Sequence, residues 1–478
     1  MSSRFFCVHG HFYQPPREDP LTGVIPDEIG ATPFPNWNER IHAECYRPNA
    51  ELQNFERISF NLGPTLAAWM QSYDPVTYQK IVAQDRANVR RYGVGNAIAQ
   101  AYNHTILPLA SHRDRVTQVI WGIEDFRHRF GRMPQGMWLP ETAVDLDSLQ
   151  VMADQGIQFT ILAPWQADTD ELDTSMPYLV DLPGGKKIVV FFYNQELSGR
   201  ISFDAGATIN ADHFAQYILL SKYLLGRERH GEPQLVLVAS DGELYGHHQF
   251  LRDRFLARLL DGASSPLELF PTFPALWLKE YHPRQAVKIR EYTSWSCHHG
   301  VTRWMGACAC TPGNASWKAQ MRFAFEHLAG EVDALYQDVV NPYVSDAWGL
   351  RNRYIDVILG RCSAEELISS FATSALNSDR MRRIHLMLES QRERQRMFTS
   401  CGWFFDDFDR IEPKNNVAYA AQAVRLIYLA TGINLEPELS TELHRVYSQR
   451  SRLRADKIFS RHLRRAEHVK STRVGYAD

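Results

Sequence analysis

The chain lacks any apolar run long enough to cross a membrane, and its net charge is close to zero. A membrane-spanning helix needs about 20 consecutive apolar residues. The beginning of the sequence, MSSRFFCVHG, has no basic segment followed by a long apolar one, so we expect no secretory leader. The formal charge of −3 indicates no basic surface for nucleic acid or for an anionic membrane. We therefore expect neither of these as a partner.

Cysteine is scarce, with seven residues, an odd number, and no CxxC pair. Secreted domains held by disulfides show an even set of cysteines at regular spacing. The absence of such a set predicts reduced thiols and a cytoplasmic protein. Cys308 and Cys310 form a CxC pair, which is a weak indication of metal or redox chemistry, and free buried thiols are the simpler interpretation. We predict no metal and no cofactor.

What the sequence does contain is 44% apolar and 22% charged residues, the composition of a globular protein with a large core. Strand-like and helix-like segments alternate through about residue 300, beginning with RFFCVHG at residues 4–10. This alternation predicts a parallel α/β sheet that closes into a distorted barrel. Helical patterns dominate from about residue 315. We predict a catalytic barrel over residues 1–310 and an all-α C-terminal domain over residues 311–478.

Polar residues directly follow predicted strands, at the sheet edge where α/β enzymes place their chemistry. In ASDGELYGHH, Asp241 and Glu243 follow the apolar run LVLVA. They would share one face if the strand continues, and one of them could donate a proton. In GMWLPETAVD, Glu141 follows Trp138 at a strand end, where it could attack a sugar while the indole stacks on it. A glutamate that stabilises a helix N-terminus is an equally good interpretation of Glu141.

Histidines recur in three other motifs. His9 and His11 lie two apart on a predicted strand and would face the same side, where they could bind a metal or sugar hydroxyls. In GNAIAQAYNHTILPL, Asn96, Gln100 and His104 are four apart, which predicts one helix face. The stretch EYTSWSCHHGVTRW, residues 291–304, holds more polar donors than a core segment usually does, which favours substrate contact.

These motifs, taken in order, resemble those of the family 57 glycoside hydrolases, which are α-glucan-active enzymes with an incomplete (β/α)7 barrel. The resemblance covers about residues 4–305 and implies that Glu141 is the nucleophile and Asp241 the general acid/base of a retaining mechanism. The segment MFTSCGWFFDDFDR resembles the uncharacterised helical domain of some members. The sequence departs from the family pattern at HFYQPP, where members usually read HQP, and at Asn96, where many carry glutamate.

The resemblance and the motifs together give a set of predicted substrate-binding residues. His11, Trp138 and His248 would line the subsite around the cleaved bond, and Trp403 could close over the cleft or pack between helices. The full set is His9, His11, Gln14, His104, Trp138, Glu243, His248, Trp295, His298, Arg303, Trp304 and Trp403.

The function predicted first is a retaining amylase, 4-α-glucanotransferase or branching enzyme, acting on an α-glucan or maltooligosaccharide through a covalent glycosyl-enzyme. Such a mechanism needs two carboxyl groups about 5–5.5 Å apart.

Two alternatives stay open on the sequence. A metal-dependent polysaccharide deacetylase is compatible with the histidines and Asp241, although adjacent histidines on a strand point to opposite faces. A non-catalytic glucan-binding protein is compatible with the altered second motif, although the retained Glu141 and Asp241 favour an enzyme. The sequence does not indicate an oligomeric state.

Overall fold

The computed structural model describes residues 4–224 and 232–468. The chain divides into two compact units, each assembled from three separate segments. The first unit consists of Met1–Gln14, Asp27–Tyr102 and Asp125–Ser296, and the second of Pro15–Pro26, Asn103–Glu124 and Cys297–Asp478. The domain boundary after residue 310 stays a prediction, and the end of the predicted helical domain, residues 469–478, lies outside the described residues.

The described strands belong to the first unit and form two sheets. They are β1 (Arg4–Phe12), β2 (Ser59–Leu62), β3 (Ala97–Gln100), β4 (Met137–Trp138), β5 (Phe159–Leu162), β6 (Tyr178–Asp181), β7 (Lys187–Phe192), β8 (Gln234–Asp241) and β9 (Phe270–Pro271). The larger sheet has the order β4-β3-β2-β1-β8 with β9 beside β1, and its paired strands are parallel. The smaller sheet has the order β5-β7-β6, in which β7 is parallel to β5 and antiparallel to β6.

The two sheets are joined at both ends into one distorted barrel. Gly136 forms a parallel bridge with Phe159, which connects β4 to β5. The backbone N–H of Asn194, just after β7, donates to the carbonyl of Leu237 in β8 at 2.7 Å. A Cβ atom at Gly136 would lie 2.3 Å from the Phe159 ring, so only glycine allows this close approach. Strands β1–β5, β7 and β8 thus encircle the core, which confirms the predicted incomplete parallel barrel.

The barrel core explains the nearly continuous apolar character of its strands. Leu235, Leu237 and Ala239 occupy alternate positions of β8 and belong to one buried cluster with Cys7 of β1 and Phe191 of β7. Residues two apart on a strand share a face, so these side chains point to the same interior. Seven of the eight residues of β8 are buried, because helices cover the outer face of a parallel sheet. Only the last residue, Asp241, is exposed.

The helices that follow the strands begin and end at residues that favour helix ends. The helix Pro75–Tyr92 begins after Asp74, whose carboxylate accepts from the backbone N–H groups of Val76 and Thr77, both at 3.1 Å. It ends at Gly93, which has the left-handed φ of 75°. The α-helices assigned to the first unit are Trp37–Ile41, Arg47–Glu51, Asn54–Arg57, Pro64–Tyr73, Pro75–Tyr92, Leu146–Asp154, Gln195–Phe203, Ala211–His213, Arg252–Arg258 and Pro274–Glu280.

The described C-terminal segment of the second unit is helical, which confirms the predicted all-α C-terminal region. Its C-terminal segment contains Trp317–Val340, Ala347–Arg353, Ile355–Ile358, Ala364–Phe371, Ser378–Arg396, Cys401–Phe404, Ile411–Thr431, Glu436–Leu443 and Ala455–His468. The helix His112–Phe130 starts in a segment of the second unit and ends in one of the first. No helix in the described ranges is both long and apolar enough to cross a membrane. The cytoplasmic location stays a prediction.

A buried ion-pair network ties segment Asn103–Glu124 to the C-terminal helices of the same unit. Asp114 accepts from Arg351 at 3.1 Å and pairs with Arg394 at 2.8 Å, and all three side chains are buried. Burial alone would raise the pKa of Asp114, but the charges of Arg394 and Arg351 outweigh it and hold that pKa well below its ordinary value. Asp114 is therefore ionised and paired within the helical unit.

One local prediction is wrong. Asn96, Gln100 and His104 do not share a helix face, because Ala97–Gln100 is strand β3 and His104 follows it with a left-handed φ of 54°. The amide of Asn96 instead donates to the backbone carbonyls of Phe55 and Ile58.

Candidate active site

The carboxyl ends of four neighbouring strands bring polar side chains into one row. Asp241, the last residue of β8, is paired in register with His11 of β1. His11 is paired in turn with Asn61 of β2, and the two side chains are hydrogen-bonded at 3.1 Å. The amide of Asn61 also donates to the side-chain oxygen of Gln100 in β3 at 2.8 Å. Parallel pairing thus places an acid, an imidazole and two amides at the edge where α/β folds carry their sites.

His9 and His11 lie on the same face, as their spacing predicts. Both rings stack on the indole of Trp138, with centroid distances of 4.8 Å for His9 and 5.1 Å for His11. Nδ1 of His9 is 2.9 Å from the hydroxyl of Ser59. Burial lowers the pKa of His9 to about 3, with the neighbouring His11 adding to the shift, and burial lowers the pKa of His11 to about 4. Both imidazoles are therefore neutral at physiological pH and act as hydrogen-bonding groups.

Glu141 follows β4 in a strained turn. It lies in the short 3-10 turn Pro140–Thr142 with φ 58° and ψ 19°, the left-handed region that a residue with a Cβ seldom adopts. Backbone strain of this kind costs about 1–3 kcal/mol and persists where surrounding contacts impose it. Here the indole N–H of Trp295 donates to Oε2 at 3.0 Å, and the hydroxyl of Ser296 donates to the same oxygen at 2.7 Å. The backbone N–H of Trp295 also donates to the Glu141 carbonyl at 3.0 Å.

These donors hold the Glu141 carboxylate in one orientation. A strained backbone with a fixed side chain is typical of a residue positioned for chemistry and not of a helix cap. The interpretation of Glu141 as a residue that only stabilises a helix N-terminus is therefore disfavoured by its geometry.

Asp241 retains its proton to higher pH than an ordinary aspartate. Surrounding protein raises the pKa of Asp241 to about 7, and the negative charge of Glu141 adds to the shift. The side chain is nevertheless exposed to solvent. Protein atoms thus surround the Asp241 carboxyl while water still reaches it, and that water screens its repulsion by the charge of Glu141.

Glu243 lies two residues beyond the end of β8, in a short 3-10 turn. Because β8 ends at Asp241 and the 3-10 turn Gly242–Leu244 follows, the prediction that Asp241 and Glu243 share a strand face is wrong. Glu243 is buried, and its Oε1 accepts from the hydroxyl of Tyr46 at 2.6 Å and the backbone N–H of Tyr13 at 3.2 Å. Burial raises the pKa of Glu243 to about 8; the Tyr46 hydrogen bond opposes this, and the charge of Asp241 adds to it.

Glycine at position 242 permits this turn. A Cβ atom there would lie 2.3 Å from the ring of Phe12, which is part of β1. In the sequence DGE, the two acidic residues therefore flank a glycine, and this glycine allows β8 to end in close contact with β1.

The remaining predicted residues of the first unit lie around this edge. His248 is exposed, and its ring lies 4.7 Å from that of His247. His247 is 2.5 Å from the carboxylate of Glu44. Gln14 is buried, and its backbone carbonyl accepts from the hydroxyl of Thr65 at 2.6 Å. Trp138 is fully buried between imidazoles and the edge of Trp295, so it supports His9 and His11 and offers no exposed face to a sugar.

The other predicted residues, His104, His298, Arg303, Trp304 and Trp403, belong to the second unit. His104 is hydrogen-bonded to Ser400 at 2.6 Å, and the guanidinium of Arg303 lies 4.5 Å from the Phe404 ring centroid. Trp304 and Trp403 are buried, which gives them a packing role in this structure. Substrate binding by these five residues stays a prediction.

Four contributors to the site were missed by the sequence reasoning: Tyr13, Tyr46, Asn61 and Ser296. Tyr46 ends the π-helical turn His42–Tyr46, and no motif around it in the sequence indicates its role. Asn61 lies inside the short strand β2, SFNL, one residue before its end, so a rule that examines only the residues after a strand passes over it. For Tyr13 and Ser296 no signal in the sequence indicates their partners.

A metal centre at this edge is not supported by the geometry. Within residues 4–224 and 232–468, no group of three or more His, Cys, Asp or Glu side chains converges around His9, His11 or Asp241. The deacetylase alternative needs such a group.

Comparison with known proteins gives the family. A sequence model described as glycosyl hydrolase family 57 matches residues 9–262, and one described as a domain of unknown function, DUF3536, matches residues 314–477. Alpha-amylase 1 of Dictyoglomus thermophilum is 24% identical over 220 residues, which are 44% of this chain and 29% of that protein. The chain thus spans less than a third of that relative's length.

Solved structures agree on the fold. The exo-type maltose-forming amylase of Pyrococcus sp. ST04 superimposes with a TM-score of 0.73 at 18% identity, over 96% of this chain and 88% of that one. The branching enzyme of Pyrococcus horikoshii gives a TM-score of 0.61 at 15% identity, over 97% and 95%. Because the family 57 model matches more than half of the sequence, this chain belongs to glycosyl hydrolase family 57.

Proposed function

We propose that this protein is a retaining enzyme that cleaves α-glucosidic bonds in an α-glucan or maltooligosaccharide and passes the glucosyl unit to water or to a second sugar. The observation that carries the proposal is the pairing of Glu141 with Asp241, whose pKa rises through the surrounding protein and the charge of Glu141. A nucleophilic carboxylate beside a carboxyl that keeps its proton near neutral pH is the arrangement that retaining glycosidases use.

The first half of the reaction forms a covalent intermediate. Asp241 donates its proton to the leaving glycosidic oxygen while Glu141 attacks the anomeric carbon, so the glycosidic bond breaks and a glucosyl ester forms on Glu141. Trp295 and Ser296 hold one oxygen of Glu141, which keeps the carboxylate aimed as it reacts.

The second half releases the sugar. Asp241, now ionised, takes a proton from water or from a sugar hydroxyl, and the resulting oxygen nucleophile displaces Glu141 from the anomeric carbon. Water as acceptor gives hydrolysis, and a glucan hydroxyl gives chain transfer or branching. The outcome depends on how well the acceptor site excludes water.

The substrate class follows from the family and the relatives. The relatives compared above are an alpha-amylase, a maltose-forming amylase and a branching enzyme. The imidazole of His11, which is neutral and paired in register with Asp241, is suited to hydrogen bonds with sugar hydroxyls and would not attract an anionic polymer, while His9 is fully buried.

The proposal is tested with the full chain and amylose or a defined maltooligosaccharide. Reducing ends and product chain lengths, followed together, separate hydrolysis from transfer. Glu141→Gln and Asp241→Asn should each lower turnover by about 10²-fold or more, the scale of a lost acid or nucleophile. Asp170→Asn, which changes an exposed carboxylate, is the matched control and should keep full activity. Full activity of Glu141→Gln would defeat the proposal, and glycogen binding without turnover on any α-glucan would favour the non-catalytic alternative.

A further inference from the structure

A second cluster of reactive side chains lies outside the row of polar residues at the carboxyl ends of the barrel strands. Cys297, His299, Cys308 and Cys310 bring their Sγ and ring nitrogen atoms within 4.8 Å of one another. The closest approaches are 3.4 Å between Cys297 and Cys308, 3.3 Å between Cys308 and His299, and 3.2 Å between His299 and Cys310. The four residues belong to the second unit and fall between the two family matches, which end at residue 262 and begin at residue 314.

Two tight turns build the cluster. The backbone N–H of Gly300 donates to the carbonyl of Cys297 at 3.1 Å, and Gly300 has the left-handed φ of 72°. The backbone N–H of Thr311 donates to the carbonyl of Cys308 at 2.9 Å. Each turn therefore supplies its first and third residues, Cys297 with His299 and Cys308 with Cys310. A turn that carries two side chains two residues apart can direct both of them toward one metal ion.

The spacing fits a single tetrahedral ion. With zinc–sulfur bonds of about 2.3 Å and a zinc–nitrogen bond of about 2.0–2.1 Å, tetrahedral ligand atoms lie roughly 3.5–3.8 Å apart. The observed separations of 3.2–3.4 Å are close to this, and all four atoms are within 4.8 Å. A disulfide would need sulfur atoms about 2.0 Å apart and would leave the convergence of His299 unexplained.

The surroundings complement the charge of such a site. Three thiolates and a neutral imidazole around Zn²⁺ give a net charge of −1. Lys318 is buried, donates to the hydroxyl of Thr311 at 3.2 Å, and interacts electrostatically with Cys297 and Cys308. A buried lysine needs negative charge nearby, and a zinc–thiolate centre would add to the negative charge that Asp406 supplies.

We propose that Cys297, His299, Cys308 and Cys310 bind one Zn²⁺ ion as a structural site. Four protein ligands fill a tetrahedral shell and leave no position for water or substrate, which distinguishes a structural zinc from a catalytic one. The ion fixes the chain from Cys297 to Cys310 and stabilises the folded unit, because binding energy at a site that the unfolded chain lacks is folding energy. The proposal does not depend on the glucan reaction.

Elemental analysis of the full chain, purified without chelator, tests the proposal. We expect about one zinc per chain, a loss of at least tenfold in Cys308→Ser, and unchanged zinc in Cys362→Ser, which alters a half-buried cysteine of the same unit outside the cluster. Cobalt added to the zinc-stripped protein should give the visible absorption of tetrahedral thiolate ligation, and zinc should abolish it.

Several results would overturn the assignment. The first is that the wild-type protein contains no zinc and also takes up no cobalt. The second is that it contains a stoichiometric metal other than zinc, and the third is that mass spectrometry shows a disulfide between cysteines of the cluster. If Cys308→Ser does not fold, His299→Ala and the cobalt titration of the wild-type chain decide the matter, because neither requires that variant.

Discussion

Replacing Glu141 with glutamine should lower the pKa of Asp241. Glutamine has the shape of glutamate and still accepts from Trp295 and Ser296, so the change removes a charge and little else. At the roughly 5.5 Å that a retaining mechanism needs, two charges repel by about 3 kcal/mol when the effective dielectric constant is about 20. That is about two pKa units at 1.36 kcal/mol each. Solvent at the exposed Asp241 reduces the effect, so we expect a fall of about 1–2 units.

Carbon-13 NMR of protein labelled at the aspartate carboxyls measures this pKa directly and needs no turnover. The Asp241→Asn variant assigns the resonance by its disappearance. The Asp170→Asn variant, changed at an exposed site, should leave the Asp241 titration as it is in the wild type. An unchanged pKa of Asp241 in Glu141→Gln would contradict this prediction. It would show that the two carboxyl groups interact too weakly to lie close enough to act on one glycosidic bond.

Three further substitutions test the supporting contacts. Ser296→Ala removes one donor to Glu141, so kcat should fall about tenfold, as expected for a lost hydrogen bond of about 1.5 kcal/mol, with KM nearly unchanged. Tyr46→Phe removes a donor to Glu243, so the pKa of Glu243 should rise further in a carboxyl NMR titration. Asp114→Asn should lower the free energy of unfolding by about 3–5 kcal/mol at pH 7 in denaturant titration, because it removes the anion that two buried guanidinium groups share and leaves Asp333 as the acid beside Arg394.

The Asp114 effect should depend on pH with a defined sign. The folded pKa of Asp114 lies below its ordinary value, so its stabilising contribution is complete above about pH 4 and is lost as the pH falls further. The stability difference between wild type and Asp114→Asn should therefore shrink under acid. A difference that grows toward low pH, or a Ser296→Ala variant that changes only KM, would contradict these assignments.

The sequence was sufficient to predict the barrel, and it selected Glu141 and Asp241 as candidate acids whose catalytic roles stay a prediction. Buried parallel strands are short apolar runs, and the rule that chemistry follows their carboxyl ends selected Glu141 and Asp241. A different rule, that residues four apart share a helix face, failed at Gln100 and His104, because a four-residue interval is as compatible with a strand and a turn as with a helix.

Contacts between distant parts of the chain could not be predicted. Tyr46 and Glu243 are 197 positions apart, and Ser296 lies 155 positions from Glu141. Their meeting depends on the exact paths of long connections that carry no periodic pattern. The CxC pair at Cys308 was visible in the sequence, but its convergence with Cys297 depends on two turns, so the proposed zinc site departs from the expectation of no metal.

In the proposed mechanism, Glu141 becomes covalently bonded to the sugar while Asp241 donates and then accepts the proton. Mass-spectrometric peptide mapping tests it most directly, after an Asp241→Asn variant has reacted with a glucosyl donor whose leaving group needs no protonation, such as a glucosyl fluoride. This variant lacks the group that would activate water, so the ester should accumulate. We expect one glucosyl unit on the peptide that contains Glu141. A glucosyl unit on another residue, or turnover without any covalent intermediate and with inverted anomeric configuration, would contradict it.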